Sequence, residues 1–325
     1  MSESAAMNES PVTNESPAMN ENRADAVVVR GLEVRVPSTA KPYAAPLPVV
    51  RGLDLTVPSG QVTVMVGANG AGKTTTLRAI TGAHPFSAGS VEVLGTTMGP
   101  ARVRPPQGVA SLPSISALPR RWTSRHIARM RQDAILGFDT AWFEELLTSF
   151  GVPHEQEVGR LSKGQATQLG LAAALAQDPR LLILDEPFAH LDPLARTELV
   201  DVLRCFMAGE DRTLLLATHD LEGMERFADH LVVISQGIDV LSGDVESLRE
   251  EYVLCELESA AMTEPGGSLV GPTTTGTGTR ALVAVEDAVG LPTTASLRRP
   301  GVSEIVTHLL RAAREDTAAP RRTAP

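Results

Sequence analysis

Cysteine is nearly absent: the 325 residues hold two, Cys205 and Cys255, far apart in the chain. They fit no metal-ligand spacing and give no disulfide framework, and so sparse a use of thiols suits a reducing compartment. Long apolar runs are missing as well. Runs such as Leu171–Ala176 and Leu181–Leu184 fall well short of the ~20 residues that a membrane-spanning helix needs, which excludes an integral membrane protein. The opening MSESAAMNES has neither the basic nor the apolar segment of a secretory signal, so none is expected. Positive charge is in deficit, 29 basic residues against 39 acidic for a net charge of −10. That balance argues against a chain whose main task is coating nucleic acid, while leaving room for a local basic patch. Lysine is scarcest of all: Lys41, Lys73 and Lys163 are the only three. Arginine serves as the general cation, so positions that keep lysine point to chemistry.

What is present is ordinary for a globular chain, 42% hydrophobic and 21% charged, and the length suggests about two domains. Residues 1–24 are polar and acidic, with an imperfect repeat at Asn8-Glu9-Ser10-Pro11 and Asn14-Glu15-Ser16-Pro17; they predict a disordered tail. Strand-like runs follow at Ala26–Arg30, Leu32–Val36, Leu53–Val57, Gln61–Val66 and Val91–Leu94, with a proline-rich loop over 37–48 and a helix over Lys73–Thr81. Apolar residues recur at helical spacing in Ile127–Leu136, Trp142–Phe150 and Ala166–Ala176. The fully apolar Leu181–Leu184 reads as a strand buried on both faces. Next come a helix (Pro193–Met207), a strand (Thr213–Ala217), a helix (Leu221–Ala228) and a strand (Leu231–Ile234). This alternation predicts a parallel sheet with right-handed crossovers. The stretch 262–280 is a Gly/Thr-rich linker or loop. Two strands, Ala281–Glu286 and Thr294–Arg298, and a helix, Ser303–Arg314, complete a small α+β appendage.

Four motifs carry chemistry. Gln61–Val66 runs into Gly67-Ala68-Asn69-Gly70-Ala71-Gly72-Lys73-Thr74, the pattern G-x-x-x-x-G-K-[ST] in its required setting of strand, loop and helix. Glycines let successive N–H groups turn toward phosphate oxygens at the positive end of the following helix. Lys73 can place a compact charge against the β- and γ-phosphates, and the Thr74 hydroxyl can ligate Mg²⁺. The buried strand ends in Asp185-Glu186-Pro187, placing two carboxylates where parallel sheets bind ligands. Asp185 suits a Mg²⁺-linked role and Glu186 the activation of water, although the pair alone fits a plain polar turn equally well. His219, after the strand Thr213–Ala217, is placed to sense a γ-phosphate; a lone histidine there is more often structural. Finally, Leu161-Ser162-Lys163-Gly164-Gln165 opens an apolar helix. Ser162 and Gln165 form a capping box, and Gly164 with Lys163 makes the same helix start an anion site available to a different nucleotide.

Taken together, GANGAGKTT, LSKGQ, LLILDEP and LATHD, in this order and spacing, resemble the nucleotide-binding domain of an ABC ATPase. The resemblance covers about residues 26–250. It implies an α/β P-loop core with a mainly parallel sheet, an antiparallel β subdomain, and a helical subdomain over about 115–178. On this layout the ATP-binding domain occupies 25–250, the appendage 251–314, and a second disordered tail 315–325. The resemblance also implies an Mg-ATPase whose subunits pair head to tail around two ATP, the partner being a second copy or a paralogous subunit. By position, Gly67, Asn69, Gly70, Ala71, Gly72, Lys73, Thr74 and Thr75 would hold ATP, with Thr74 and Asp185 on the metal. Ser162, Gly164 and Gln165 would reach the other subunit's nucleotide, and Asp192 would couple the two sites. Glu186 would be the catalytic base, His219 the switch histidine, and Tyr43 the aromatic against adenine, about one position out of register.

Two positions depart from the family pattern. Lys163 stands where glycine is commonest in the signature. Ser114 falls where a glutamine or glutamate normally ends the preceding strand, and its shorter hydroxyl reaches Mg²⁺ only through water, which predicts slower or differently coupled hydrolysis. The C-terminal layout looks like the appendage of ABC-2-type exporter subunits. The implied protein is cytoplasmic, held at the inner face of the membrane by a separate permease, with no nucleic acid expected. The alternative is a non-transport ABC ATPase acting on the ribosome or DNA, which usually brings two cassettes or long coiled-coil insertions.

Overall fold

The computed structural model describes residues 24–37, 45–99, 104–112, 118–221, 224–258, 269–276 and 278–318. Tyr43, Lys41 and Ser114, the first 23 residues and the last seven lie outside these.

A six-stranded sheet forms the centre. Its strands are β3 (Val62–Val66), β6 (Val109–Ser111), β7 (Leu181–Asp185), β8 (Thr213–Thr218), β9 (His230–Ser235) and β10 (Ile238–Asp244). Their order is β10-β9-β3-β8-β7-β6. All neighbouring pairs are parallel except β10 with β9. Strands β3, β7 and β8 are buried on both faces because alternate side chains serve two different cores. Val64, Leu182, Leu184, Leu214 and Leu216 join one core, which is roofed by helices. Met65, Leu181, Ile183, Leu215 and Ala217 join the other.

The second core is closed by α1 (Lys73–Ile80) and an antiparallel sheet of β1 (Val27–Val36), β2 (Leu47–Val57), β4 (Ala88–Val93) and β5 (Thr96–Met98), ordered β2-β1-β4-β5. The two runs expected at 26–36 are one strand, β1, with register shifts around Gly31. β2 also begins earlier than expected, inside the proline-rich stretch.

The helical layer comprises α2 (Ser124–Ala134), α3 (Thr140–Ser149) and α4 (Lys163–Leu175), with α5 (Pro193–Met207) following β7. From Gln168 to Leu175 every α4 side chain is buried, which fits its run of apolar and small residues on all sides. Phe143, Leu146 and Leu147 of α3 pack into the same core; full burial of a side chain of that size contributes about 1.5–3 kcal/mol. The expected helix over Leu221–Ala228 does not form in the described residues, where 224–227 are turns. The local apolar pattern there is met by tertiary burial instead.

After β10, α6 (Val245–Glu251) leads to a third, antiparallel sheet of β11 (Tyr252–Glu258), β12 (Val270–Thr274), β13 (Gly278–Ala284) and β14 (Ser296–Arg298), in the order β12-β13-β11-β14. Strand β12 lies inside the stretch expected to be loop. Its Thr and Val residues favour a pleated ladder, and β13 supplies the partner edge. The final helix, α7 (Val302–Ala318), runs beyond its expected end and seals Leu254 and Leu282 beneath Ile305 and Leu309. Among the described residues no helix is long and apolar enough to cross a membrane.

Candidate functional site

The parallel order places the C-terminal ends of β3, β7 and β8 side by side, and three motifs meet there. The turn after β3 is shaped by its glycines. A Cβ on Gly67 would lie 2.3 Å from the Ile234 carbonyl oxygen, and Gly70 and Gly72 have φ of +82° and +108°. Gly72 precedes α1 as its N-cap and offers no side chain to the helix start, leaving those N–H groups facing the loop. Asn69 and Gly70 are exposed at the loop tip, and Thr74 and Thr75 are half-buried. The loop's far side is tied down by Gly237, whose N–H donates to Ala71 O at 2.8 Å.

Lys73 is buried, and its Nζ donates to Gly67 O at 2.8 Å and Ala68 O at 3.4 Å. It also lies 3.3 Å from Glu186 Oε1. The other Glu186 oxygen, Oε2, is 2.8 Å from His219 Nδ1 and accepts from Thr218 Oγ1 at 3.4 Å. Glu186 sits at φ +49°, a conformation that non-glycine residues rarely hold and that tends to persist at functional positions. Its N–H is fixed on Ala217 O at 2.8 Å, so β8 sets the carboxylate's place.

Asp185 supplies the test for a cation. Its Oδ1 is buried with no hydrogen-bond partner, and an orphaned acceptor of that kind is costly. Burial first, and the neighbouring Glu186 second, push its carboxyl above the usual range, against the opposing pull of the Thr74 hydroxyl, Lys73 and Arg78. A carboxylate and a hydroxyl make a hard-oxygen pair suited to Mg²⁺, which takes few protein ligands and completes its shell with water and phosphate. The described residues hold no cluster of three His, Cys, Asp or Glu side chains that would favour another metal.

The signature segment lies elsewhere. Ser162 caps α4, its Oγ accepting from Gln165 N–H at 3.1 Å, while Gln165 Oε1 accepts from Ser162 N–H at 3.1 Å. The capping box read from the sequence is therefore formed. Gly164 passes under the 190–191 turn, where a Cβ would come within 3.0 Å of His190 O. Asp192 caps α5 by accepting from Ala195 N–H at 2.9 Å. Ser162, Gly164, Gln165, His190 and Asp192 line one concavity of about 360 Å³ that includes no phosphate-loop residue.

The sequence-predicted residues thus fall into two groups. Gly67–Thr75, Asp185, Glu186 and His219 belong to the first, and Ser162, Gly164, Gln165 and Asp192 to the second. Tyr43 and Ser114 lie outside the described residues. Sequence reasoning missed Thr218, whose hydroxyl both accepts from Asp220 N–H at 3.1 Å and donates to Asp220 O at 2.9 Å, and Arg196, which pairs with Asp220 at 3.8 Å. It also missed Gly237. Thr218 had a signal, as the residue just before His219; Gly237 had none, because its importance comes from Val49 and Ala71, remote in sequence.

A family model described as ABC transporter matches residues 50–189. Among curated proteins, the chain is 34% identical over 205 residues to the Nod factor export ATP-binding protein I of Rhizobium sp. (strain N33), covering 61% of this chain and 67% of that one. The counterpart from Rhizobium etli is 34% identical over 222 residues, with coverages of 66% and 69%. The chain thus spans about two thirds of the length of these relatives. It is also 29% identical over 221 residues to the phosphonates import ATP-binding protein PhnC 2 of Nostoc sp., covering 64% of this chain and 90% of that one. A solved structure described as the ATP binding subunit of an ABC transporter superposes with a TM-score of 0.57 at 27% identity, over 69% of this chain and 92% of that one. A dimeric bacterial ABC transporter cassette shares the fold, with a TM-score of 0.58 at 16% identity over 67% of this chain and 98% of that one.

Proposed function

The chain belongs to the family of ABC transporter ATP-binding subunits, and on that premise we propose that it hydrolyses Mg-ATP within a head-to-tail pair and powers export through a separate permease. One observation carries the pairing. The phosphate loop with its acidic pair, and the signature helix start with Asp192, are two half-sites lined by disjoint residues. A complete site then needs the signature of a second subunit over the phosphate loop of the first.

In this reading the loop N–H groups from Gly67 to Thr75 hold the β- and γ-phosphates, and Tyr43 stacks on adenine. Lys73 exchanges a carbonyl or carboxylate partner for a phosphate oxygen. Thr74 and Asp185 would hold Mg²⁺, which would supply neutralisation of phosphate charge, with Ser114 as a further ligand acting through water. Glu186 accepts the proton of the attacking water at a carboxylate oxygen, and His219 holds that carboxylate in place and touches the γ-phosphate. From the second subunit, Ser162 and Gly164 meet the same phosphate, with Gln165 fixing Ser162 through the cap. Asp192 couples the two sites. General-base assistance of this kind is worth about 10²–10⁴ in rate.

Export is supported by the 34% identity to the Nod factor export proteins, against 29% to the phosphonate import protein. The protein then works from the cytoplasmic side, held to the membrane by its permease. Glu186→Gln tests the pairing: with ATP it runs as a dimer by size-exclusion chromatography with light scattering, and a monomer under those conditions overturns it. Direction is read by reconstituting the chain with the permease that copurifies from gently solubilised membranes. ATP-driven accumulation in inside-out vesicles supports export, and accumulation only in right-side-out vesicles refutes it.

A further inference from the structure

Among its described residues, the segment that presents His219 has little regular structure of its own. Between Thr218 and His230 the described residues form turns, with Met224 N–H on Leu221 O and Phe227 N–H on Met224 O, each at 2.9 Å. A segment of this kind takes its position from what it packs against. Leu221, Met224 and Ala228 are buried in the main core, and the C-terminal helix sends Val302 and Val306 into that same cluster. A polar bond crosses this seam: Ser303 Oγ–H donates to Glu225 Oε1. Ser303 lies in the first turn of α7, a turn fixed in its own right. Glu304 accepts from Gly301 N–H at 2.9 Å and from both arms of Arg298 on β14.

We propose that Ser303, acting through Glu225, is a positioning residue for His219, so that the C-terminal appendage sets the rate of the hydrolytic step. This rests on the ATPase reading above. His219 is half exposed, so packing alone does not hold its ring 2.8 Å from Glu186 Oε2. On the near side its backbone is set by the Thr218–Asp220 turn and the Arg196–Asp220 pair. On the far side the chain is anchored where Met224 and Glu225 meet α7. Hydrogen bonds weaken steeply with misalignment, so a small shift of this segment is felt at the Glu186–His219 contact before it is felt by the phosphate loop. Arg298 of β14, Glu304, the first turn of α7, Ser303 and Glu225 are joined by the bonds given above, and Met224 and Glu225 follow His219 in the chain by five and six residues. A double-mutant cycle measures the coupling along this route.

The test uses the full-length chain, measuring steady-state ATPase and equilibrium ATP affinity for Ser303→Ala, Ser303→Thr, Glu225→Ala and the Ser303→Ala/Glu225→Ala double variant. The two single alanine variants should each lower kcat about three- to tenfold, with KM and Kd for ATP within about twofold of wild type. The double variant should be no slower than either single, and threonine, which keeps the hydroxyl, should restore kcat. If folded Ser303→Ala and Glu225→Ala keep wild-type kcat, lose affinity in parallel, or multiply in the double variant, the proposal is overturned. Thermal midpoints are read alongside, and should Ser303→Ala not fold, Glu225→Ala carries the comparison. A wild-type chain without turnover overturns the ATPase reading and the positioning role of Ser303 together, whereas an active wild type with indifferent variants overturns the positioning role alone.

Discussion

Lys73 and Glu186 face each other across the phosphate loop, Nζ to Oε1 at 3.3 Å, with the lysine side chain 6% and the glutamate 26% exposed. The ammonium has three hydrogens and three oxygens around it, those of Gly67, Ala68 and Glu186. A phosphate oxygen entering the loop competes for the same hydrogens. Nucleotide binding and the freedom of the proposed base are therefore linked through one side chain.

Lys73→Ala should weaken ATP binding by about tenfold or more, since a hydrogen bond to a charged group contributes roughly 1.5–3 kcal/mol. Isothermal titration calorimetry reads this directly, and an unchanged Kd contradicts the phosphate-loop assignment. The same variant leaves Glu186 with His219 and Thr218 as its remaining side-chain partners, so its thermal midpoint should fall as well.

Ser162→Ala removes the hydroxyl that caps α4. Loss of such a cap costs about 0.5–2 kcal/mol, read as a lower urea midpoint with an unchanged slope. If Ser162 also meets the second subunit's nucleotide, ATPase activity falls by more than the change in folded population accounts for. Equal effects on both would leave Ser162 a cap alone.

Gly237→Ala should be among the most damaging single substitutions. The position has φ +83°, and a Cβ there would sit 2.2 Å from the Val49 carbonyl oxygen. Strain and overpacking each cost about 1–3 kcal/mol. Because Gly237 N–H holds Ala71 O, ATP affinity should fall together with the melting temperature, and a variant with wild-type values for both would contradict this anchoring.

Stability should depend on acid through Glu304. The paired arms of Arg298 chiefly, and Gly301 N–H, hold its carboxyl below the usual range. A depressed carboxylate stabilises the fold above its unfolded pKa, and that contribution is lost as the pH falls through the lower, folded value. The side chain is about one third exposed, so solvent screens the pair. Melting temperatures of wild type should drop more steeply from pH 5 to 3 than those of Glu304→Gln; parallel curves would exclude the linkage.

Ser114→Gln tests whether Ser114 occupies the position where the family pattern has glutamine or glutamate. Turnover should rise, and an unchanged rate would leave Ser114 without a part in catalysis.

The sequence was most readable where local chemistry and tertiary role coincide. The loop from Gly67 to Thr74 needs glycines for its own turn, and Ser162 and Gln165 satisfy each other within one helical turn, so both appear as spacing. The apolar run Leu181–Leu184 announced a strand buried on both faces because nothing else tolerates that pattern. Reading was weaker where distant partners decide. Leu221–Ala228 carries a helical apolar pattern, yet its side chains are claimed by the core and α7, and the described backbone stays in turns. Val270–Thr274 looks like linker because its partner β13 lies beyond the turn. Gly237 gives no hint of its task, which depends on a strand end nearly two hundred residues earlier.

That glycine also bears on how the molecule can move. Its carbonyl accepts from Arg51 N–H while its N–H grips Ala71 O, each at 2.8 Å, so a single peptide neighbourhood ties β2 to the phosphate loop. The antiparallel sheet and the nucleotide cradle therefore travel as one lever arm.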